Sequence, residues 1–387
     1  MPLKYGLFTT FGAMHFEDVI GHEELKIKLK ATVDTGRVSH ALMFTGKEGT
    51  GNLAMALAFG SYLLAKNSQN EQSTVLKCNN YTHPDFHFCY PINKTDTIKS
   101  SKIISKDFIT EWREALLKNP YMASGEWMAH LGIDKKQGVI NVEQAKEILK
   151  SLTLRPYESE YRVMLIWLPE KMNVATSNKI LKILEEPPSK TVFLLVTQNP
   201  ELLLPTIISR VQMVNVKPIS QPELATALVQ HFGQSQENAD VVAKIAQGNY
   251  LEAQKLVSEN EVRVFNQEMF IKWMRFLWQK EFMELIQWSE AMNRIGRERL
   301  MLFFKYGLHV FRESLILNYS DTSIQMTGGS ELAFINKFAP YVNELNALDM
   351  VQLFEDAEYH ISRNANAKIL LMDVSLKMMK LVRKKVS

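Results

Sequence analysis

The chain has 387 residues, of which 46% are apolar and 22% charged, with a formal net charge of +3; this balance excludes a predominantly disordered chain and offers no global charge with which to grip nucleic acid. Its two cysteines, Cys78 and Cys89, exclude a disulfide framework and suit a reducing, cytoplasmic compartment. No apolar run approaches the ~20 residues needed to span a bilayer, and the N-terminal MPLKYGLFTTFGA lacks the uninterrupted apolar core of a secretory signal. Residues 1–13 are expected to form a tail, with folded sequence beginning near Met14.

From His15 to about Lys217, helix-like segments alternate with short apolar strands. Helices are expected at Glu23–Thr35, Leu53–Ala65, Val142–Leu152 and Val174–Leu184, and strands at Ala41–Gly46, Tyr161–Leu168 and Thr191–Thr197. The strands are rich in β-branched and aromatic residues without clean alternation, the pattern of parallel strands covered on both faces. The helix after Val174 must stop at Glu185-Glu186-Pro187-Pro188, because proline has no amide for the ladder and pushes its predecessor out of helical geometry. Together these elements predict an α/β nucleotide-binding domain over residues 14–216. Residues 93–138, with the lysine-rich TDTIKSSKIISK, read as an insertion with some helix lying outside the sheet.

Past Lys217 the strands stop. Short amphipathic helices at Gln221–Phe232 and Glu237–Ala246, with a third opening at GNYLEAQKLV, predict a small helical lid over residues 217–258. From residue 262 to the end, helices rich in Phe, Trp and Met predict a larger all-α unit. Within it FIKWMRFLWQKEFMELIQW (Phe270–Trp288) is expected to form core or subunit interface, and the terminal LVRKKVS a solvated basic tail.

The stretch TGKEGTGNLAMALA (Thr45–Ala58) has the glycine spacing of a phosphate-binding loop, with Gly46, Gly49 and Gly51 between an apolar strand and a helix. Such a loop needs backbone amides for the phosphates, an ammonium for the β- and γ-phosphates and a hydroxyl for Mg²⁺. Here Asn52 removes the cation and Leu53 puts carbon where the metal needs oxygen. A loss of this kind costs about 1.5–3 kcal/mol per charged contact. The strand that would carry an acidic pair ends instead on Trp167 and Leu168, and Glu170 follows only after a proline. The parts of a phosphoryl-transfer engine are thus absent together. Adjacent Glu185 and Glu186 point to different faces of a helix end and do not form an acid–base pair.

Read in order, HFEDVIGHE (15–23), SHALMFTGKEGTGN (39–52), HPDFHF (83–88), SNKILKILEEPPSKTVFLLVTQNPELLLPTIISRVQ (177–212) and AQGNYLEA (246–253) resemble the delta-prime branch of the bacterial clamp-loader AAA+ family. The resemblance covers roughly residues 14–255 and beyond 260 rests on helical character alone. It implies a RecA-like parallel sheet, a helical lid and an all-α collar through which related subunits join in an open ring. It also implies a subunit with a degenerate nucleotide site and no bound cofactor, which offers an arginine in trans to a neighbour's ATP. The family's Ser-Arg-Cys motif is matched by Ser209 and Arg210, with Val211 in place of the cysteine. In the lid, Leu251 stands where active relatives carry an arginine that touches nucleotide.

The implied partners are clamp-loader ATPase subunits of the tau/gamma type, the delta subunit, the sliding clamp and primed DNA, with no membrane. Many relatives carry a four-cysteine zinc knuckle before the His-Pro-Asp stretch, of which this chain keeps only Cys78. A substitute cluster of Cys78, His83, His87 and Cys89 would have to converge from alternating faces of a strand, so no metal is expected. Two other readings remain open from sequence: a subunit that binds ATP through backbone amides alone, and a stand-alone DNA-binding module.

Overall fold

The computed structural model describes residues 14–95, 98, 102–133, 136–153, 155–319 and 329–384, so the tail expected at 1–13 and the insertion residues 96–97, 99–101 and 134–135 lie outside the described residues. Two compact units divide the chain, Met1–Val257 and Ser258–Ser387.

The first unit is built on five parallel strands: β1 (Ala41–Thr45), β2 (Phe86–Cys89), β3 (Arg162–Trp167), β4 (Thr191–Thr197) and β5 (Gln212–Asn215), in the order β2-β3-β4-β1-β5. Every residue of β1, β3 and β4 is buried, as continuous apolar strands covered on both faces must be. One face, with Leu42, Phe44, Leu165, Trp167, Leu194 and Val196, packs on α2 (Asn52–Lys66), nearly all of whose side chains are buried. The other face, with Met43, Met164, Ile166, Phe193 and Leu195, packs on α6 (Val142–Thr153) and α7 (Val174–Glu185) through Ile148, Ile180 and Ile183. Helix α1 (Glu23–Asp34) precedes β1, and α3 (Glu71–Asn79) follows α2. Helix α7 begins at the cap Asn173, whose carboxamide oxygen accepts from Thr176 N–H at 2.8 Å, and ends before the two prolines as anticipated.

The insertion contributes no strand among its described residues. A 3-10 turn at Ser105–Phe108, α4 (Ile109–Lys118) and α5 (Ser124–His130) bring two tryptophans against the sheet. Trp112 stacks on Tyr90 with ring centroids 4.1 Å apart and lies 5.2 Å from Trp167; Trp127 meets Trp112 edge-on at 5.1 Å and donates its indole N–H to the Pro91 carbonyl at 2.8 Å. These residues lie outside the sheet yet belong to its core. Helices α8 (Pro205–Ile208), α9 (Gln221–Phe232) and α10 (Gln236–Ala246) complete the first unit. Ser220 and Glu223 close a reciprocal capping box on α9, which ends on Gly233.

Helix α11 (Tyr250–Gln279) begins in the first unit and ends in the second, which continues with α12 (Phe282–Asn293), α13 (Arg297–Tyr319), α14 (Gly329–Phe338), α15 (Ala347–Ser362) and α16 (Ala367–Leu381). Phe270 sits at its centre, within 6.4 Å, ring to ring, of Trp273, Phe303, Phe311, Phe338 and Phe354. The aromatic run 270–288 is therefore partly core, whereas Trp278, Phe282, Met283 and Ile286 are exposed. Of the basic C-terminal segment, residues 385–387 lie outside the described residues and Lys384 is exposed as expected, pairing with Asp349 at 2.8 Å; Arg383 departs from expectation, donating to the carbonyls of Leu277 at 3.1 Å and Trp278 at 2.6 Å.

Trp112 is fully buried among aromatic rings. Trp112→Ala is expected to lower the stability of the first unit by about 3–5 kcal/mol, the usual cost of deleting a buried aromatic. Urea unfolding followed by circular dichroism measures this, and a loss below about 1 kcal/mol would contradict the packing described.

Candidate functional site: a closed glycine loop and an outlying arginine

The glycine loop leaves the C-terminal end of β1, as a phosphate loop should, and enters α2 at Gly51. Gly49 and Gly51 adopt φ of +73° and +93°, which explains why glycine is kept at both. The protein itself packs closely against both glycines. Tyr250 N–H donates to the Gly49 carbonyl at 2.9 Å, and a Cβ added to Gly49 would overlap the Asn249 carboxamide. A Cβ on Gly51 would come within 2.9 Å of the Tyr121 ring. The rings of Tyr121 and Tyr250 lie 4.9 Å apart, and each phenol is anchored, Tyr121 accepting from Ile20 N–H at 2.8 Å and Tyr250 bonded to His231 Nδ1 at 2.9 Å. Burial pushes both phenols well above their ordinary range. On the remaining side, His22 Nε2 lies 3.0 Å from the Thr50 carbonyl, so this nitrogen carries the proton, and burial holds the imidazole below its usual value.

At the position of the missing lysine, Asn52 turns inward. Its Nδ2 donates to the carbonyls of Gly46 at 3.1 Å and Thr197 at 3.3 Å, tying the ends of β1 and β4, and its Oδ1 accepts from Leu53 N–H at 2.9 Å. One of the α2 amides that would otherwise face an anion is thereby occupied. Leu53 is buried in the core. Trp167 fills the acidic-pair position with the aromatic cluster described above, and Leu168 is buried in a left-handed turn with its N–H on the Val196 carbonyl at 2.8 Å. Glu170 accepts from the Thr197 hydroxyl at 2.8 Å and from Gln198 N–H at 3.1 Å; burial raises its pKa, and it acts as a clasp on the end of β4. Leu251, in the lid position of interest, packs partly buried against the same core.

Arg210 follows α8 and precedes β5. The register pairs Leu42 with Gln212, so Arg210 lies level with residue 40, at the opposite end of β1 from Gly46. At ~3.3 Å per residue the two ends are roughly 20 Å apart. The guanidinium is about one-third exposed; it donates to the Thr206 carbonyl at 2.9 Å and the Ser209 hydroxyl at 3.1 Å, and pairs with Glu185 at 2.9 Å. Sequence reasoning treated Glu185 only as an improbable catalytic acid and missed this pairing. With both partners partly solvated, the pair contributes about 0–1 kcal/mol.

Cys78 and Cys89 are free buried thiols pushed by burial up to about 12; Cys89 donates to the Gln144 carboxamide at 3.1 Å, and His83 Nδ1 accepts from Asp85 N–H at 3.1 Å. Among the described residues, no three His, Cys, Asp or Glu side chains are grouped to hold a metal ion. The aspartate of the His-Pro-Asp stretch, which sequence left without a role, is structural. Its carboxylate accepts from the N–H groups of Tyr157, Glu158 and Ser159 at 2.6, 2.8 and 3.0 Å. Nor did any sequence signal mark Tyr121, Asn249 or Tyr250 as the residues that close the loop.

A five-stranded parallel sheet sandwiched by helices, with a glycine loop between its first strand and first buried helix, defines an α/β fold of the RecA-like AAA+ class; the second unit is all-α among its described residues. A family model described as DNA polymerase III, delta subunit, matches residues 21–220, and the chain belongs to that family. It is 26% identical over 314 residues to the DNA polymerase III subunit delta′ of Bacillus subtilis, covering 79% of each protein. It is also similar to the tau subunit of the same organism, 22% identical over 258 residues, or 65% of this chain, and to the gamma/tau subunit of Mycobacterium bovis, 26% identical over 204 residues, or 53% of this chain. The chain spans only 39% and 29% of the length of those two relatives. Among solved structures, a gamma subunit-related protein of DNA polymerase III from Thermotoga maritima is similar at 16% identity and a TM-score of 0.34, covering 92% of this chain and 99% of that one. No described helix is long and apolar enough to cross a membrane.

Placing the missing groups by Asn52→Lys with Leu53→Thr is expected to yield no nucleotide site, because Tyr121, Asn249 and Tyr250 still hold the loop's glycines against the protein. The double variant should lose about 2–4 kcal/mol of stability, since two carbonyls lose their donor and an ammonium enters a buried position. Fluorescent-ATP titration and thermal unfolding measure the two effects; micromolar binding would contradict the closed loop.

His22, His83, His87 and His231 are all held below the ordinary 6.5 by burial, His87 the furthest, to about 4, with Arg162 adding to the effect. Below pH 6.5 the unfolded chain takes up protons that the folded one refuses, so this contribution is complete above pH 6.5 and is lost as pH falls toward 4. His87→Gln should flatten that slope in urea midpoints measured across the window; an unchanged slope would contradict it.

Proposed function

We propose that this chain is a clamp-loader subunit of the delta-prime kind, a scaffold that does not hydrolyse ATP and that supplies Arg210 in trans to a neighbouring ATPase subunit. The observation that supports it most is the position of Arg210, partly solvated at the end of the sheet opposite its own glycine loop. A guanidinium there cannot serve this chain's loop but is free to meet phosphate on another subunit. The planar fork directed at a γ-phosphate stabilises charge on the group being transferred. Glu185 holds the side chain in the isolated chain through a pair weak enough to yield to a charge-assisted phosphate contact. Ser209, which accepts from the guanidinium, orients its root.

In this reading residues 14–216 form the AAA+ body, 217–258 its lid and 262–387 the collar through which the chain joins tau/gamma-type ATPase subunits and delta. The exposed Phe282, Met283 and Ile286 on α12 suit such a joint. The assembly would act in the cytoplasm to open a sliding clamp and set it on primed DNA. No metal or nucleotide is assigned to this chain. The closed loop makes the lid part of a rigid body, so the subunit serves as a fixed point against which its neighbours move.

The test is reconstitution with the partner ATPase subunits. Arg210→Ala is expected to reduce DNA-stimulated ATP turnover at the adjacent site by about tenfold or more. Arg210→Lys should fail to restore it, because an ammonium does not reproduce the fork. Unchanged turnover in an assembled complex would end the proposed role of Arg210.

A further inference from the structure

The sheet ends at β2, and no strand pairs with its outer side among the described residues. In a parallel ladder only alternate residues of an edge strand direct their backbone groups at the partner. Val163 N–H donates to the Asp85 carbonyl at 2.9 Å and Phe86 is in register with Val163, so Asp85, His87 and Cys89 face β3. Phe86, Phe88 and Tyr90 turn their backbone groups outward. Tyr90 is closed off, since the Ser105 hydroxyl lies 3.1 Å from both its N–H and its carbonyl, and Phe86 N–H donates to the His83 carbonyl at 3.1 Å. Among the described residues, the carbonyl of Phe86 and both backbone groups of Phe88 are left along the edge.

A cleft of about 420 Å³ lies beside this stretch, lined by residues of β2, of the 105–108 turn, of α4 and of α6. Its charged lining is Lys106, Arg113 and Lys150 against the single carboxylate Glu147. Lys106 and Lys150 are exposed, and Arg113 is fixed by donation to the Tyr81 carbonyl at 2.9 Å. The cleft is open to solvent and carries a row of strand hydrogen-bonding groups between like-signed cations. A second copy of the same edge would bring those cations face to face, which disfavours self-pairing.

We propose that the outer edge of β2 receives an extended acidic peptide segment of a protein partner as a sixth strand. Its backbone continues the ladder on Phe86 and Phe88, and its carboxylates meet Lys106, Arg113 and Lys150. The ladder bonds supply affinity and the flanking cations select the sign of the partner.

The experiment uses the full chain and a fluorescein-labelled Glu-Val-Glu-Val-Glu-Val-Glu peptide with blocked ends, followed by anisotropy. Saturable binding is expected, weakened about tenfold or more by Lys106→Glu with Lys150→Glu at an unchanged thermal midpoint. Methylating alternate backbone nitrogens of the peptide should weaken binding by a similar factor, because ladder donors are lost. In site-resolved hydrogen exchange, Phe88 N–H should exchange rapidly in the free protein and slow about tenfold or more with peptide bound. The proposal is overturned by the absence of binding up to about 1 mM, by equal binding of the methylated peptide or of a lysine-for-glutamate peptide, or by a Phe88 amide already protected in the free chain. Binding of a single-stranded oligonucleotide that the double variant abolishes, with none of the acidic peptide, would give the patch to nucleic acid and overturn it equally.

Discussion

Closure of the glycine loop depends on the hydrogen bond from Tyr250 N–H to the Gly49 carbonyl, with Asn249 pressed on the glycine that carries it. A phosphate loop works because its backbone amides surround an empty, positively polarised hollow at a helix terminus. Here the start of α11 and the ring of Tyr121 press on Gly49 and Gly51, and Asn52 spends its side chain on two carbonyls and one amide. The outcome is a joint between the start of α11 and the loop that leaves β1, and the rigidity proposed for this subunit follows from it.

At each place where a working phosphate loop would carry a charge or a metal-binding hydroxyl, this chain has packing or backbone hydrogen bonds instead. An acidic pair at the end of β3 would have to face solvent or metal; Trp167 lies instead in a cluster with Trp112, Tyr90 and Trp127. The insertion supplies two of those rings, so it packs directly on the end of β3. Leu53 likewise exchanges a metal-facing hydroxyl for a place in the core. Such changes reinforce one another, because restoring a single polar residue would bury it without a partner. Arg210 escapes this logic since it lies at the other end of the sheet.

Much of the fold was legible in the sequence because its central strands are buried on both faces and read as continuous apolar runs. The edges were not. β2 and β5 are four residues long with half-exposed patterns, and QMVN gives no periodic signal at all. Helix α3, polar along most of its length, was missed for the same reason. The losses in the site were legible one residue at a time, since phosphate chemistry demands an ammonium, a hydroxyl and carboxylates at fixed spacings. What replaced them was not, because nothing in the sequence ties Tyr121 to Gly51 or Asn249 to Gly49. The basic C-terminus misled because charge alone marks a residue as solvated, whereas Arg383 finds two helix-end carbonyls and the ring of Trp278.

Equilibrium dialysis of the unaltered full chain against radiolabelled ATP with magnesium tests the closed loop most directly. No saturable binding is expected into the millimolar range. One equivalent held at micromolar concentration, with Tyr121 and Tyr250 displaced in a structure of the complex, would contradict it.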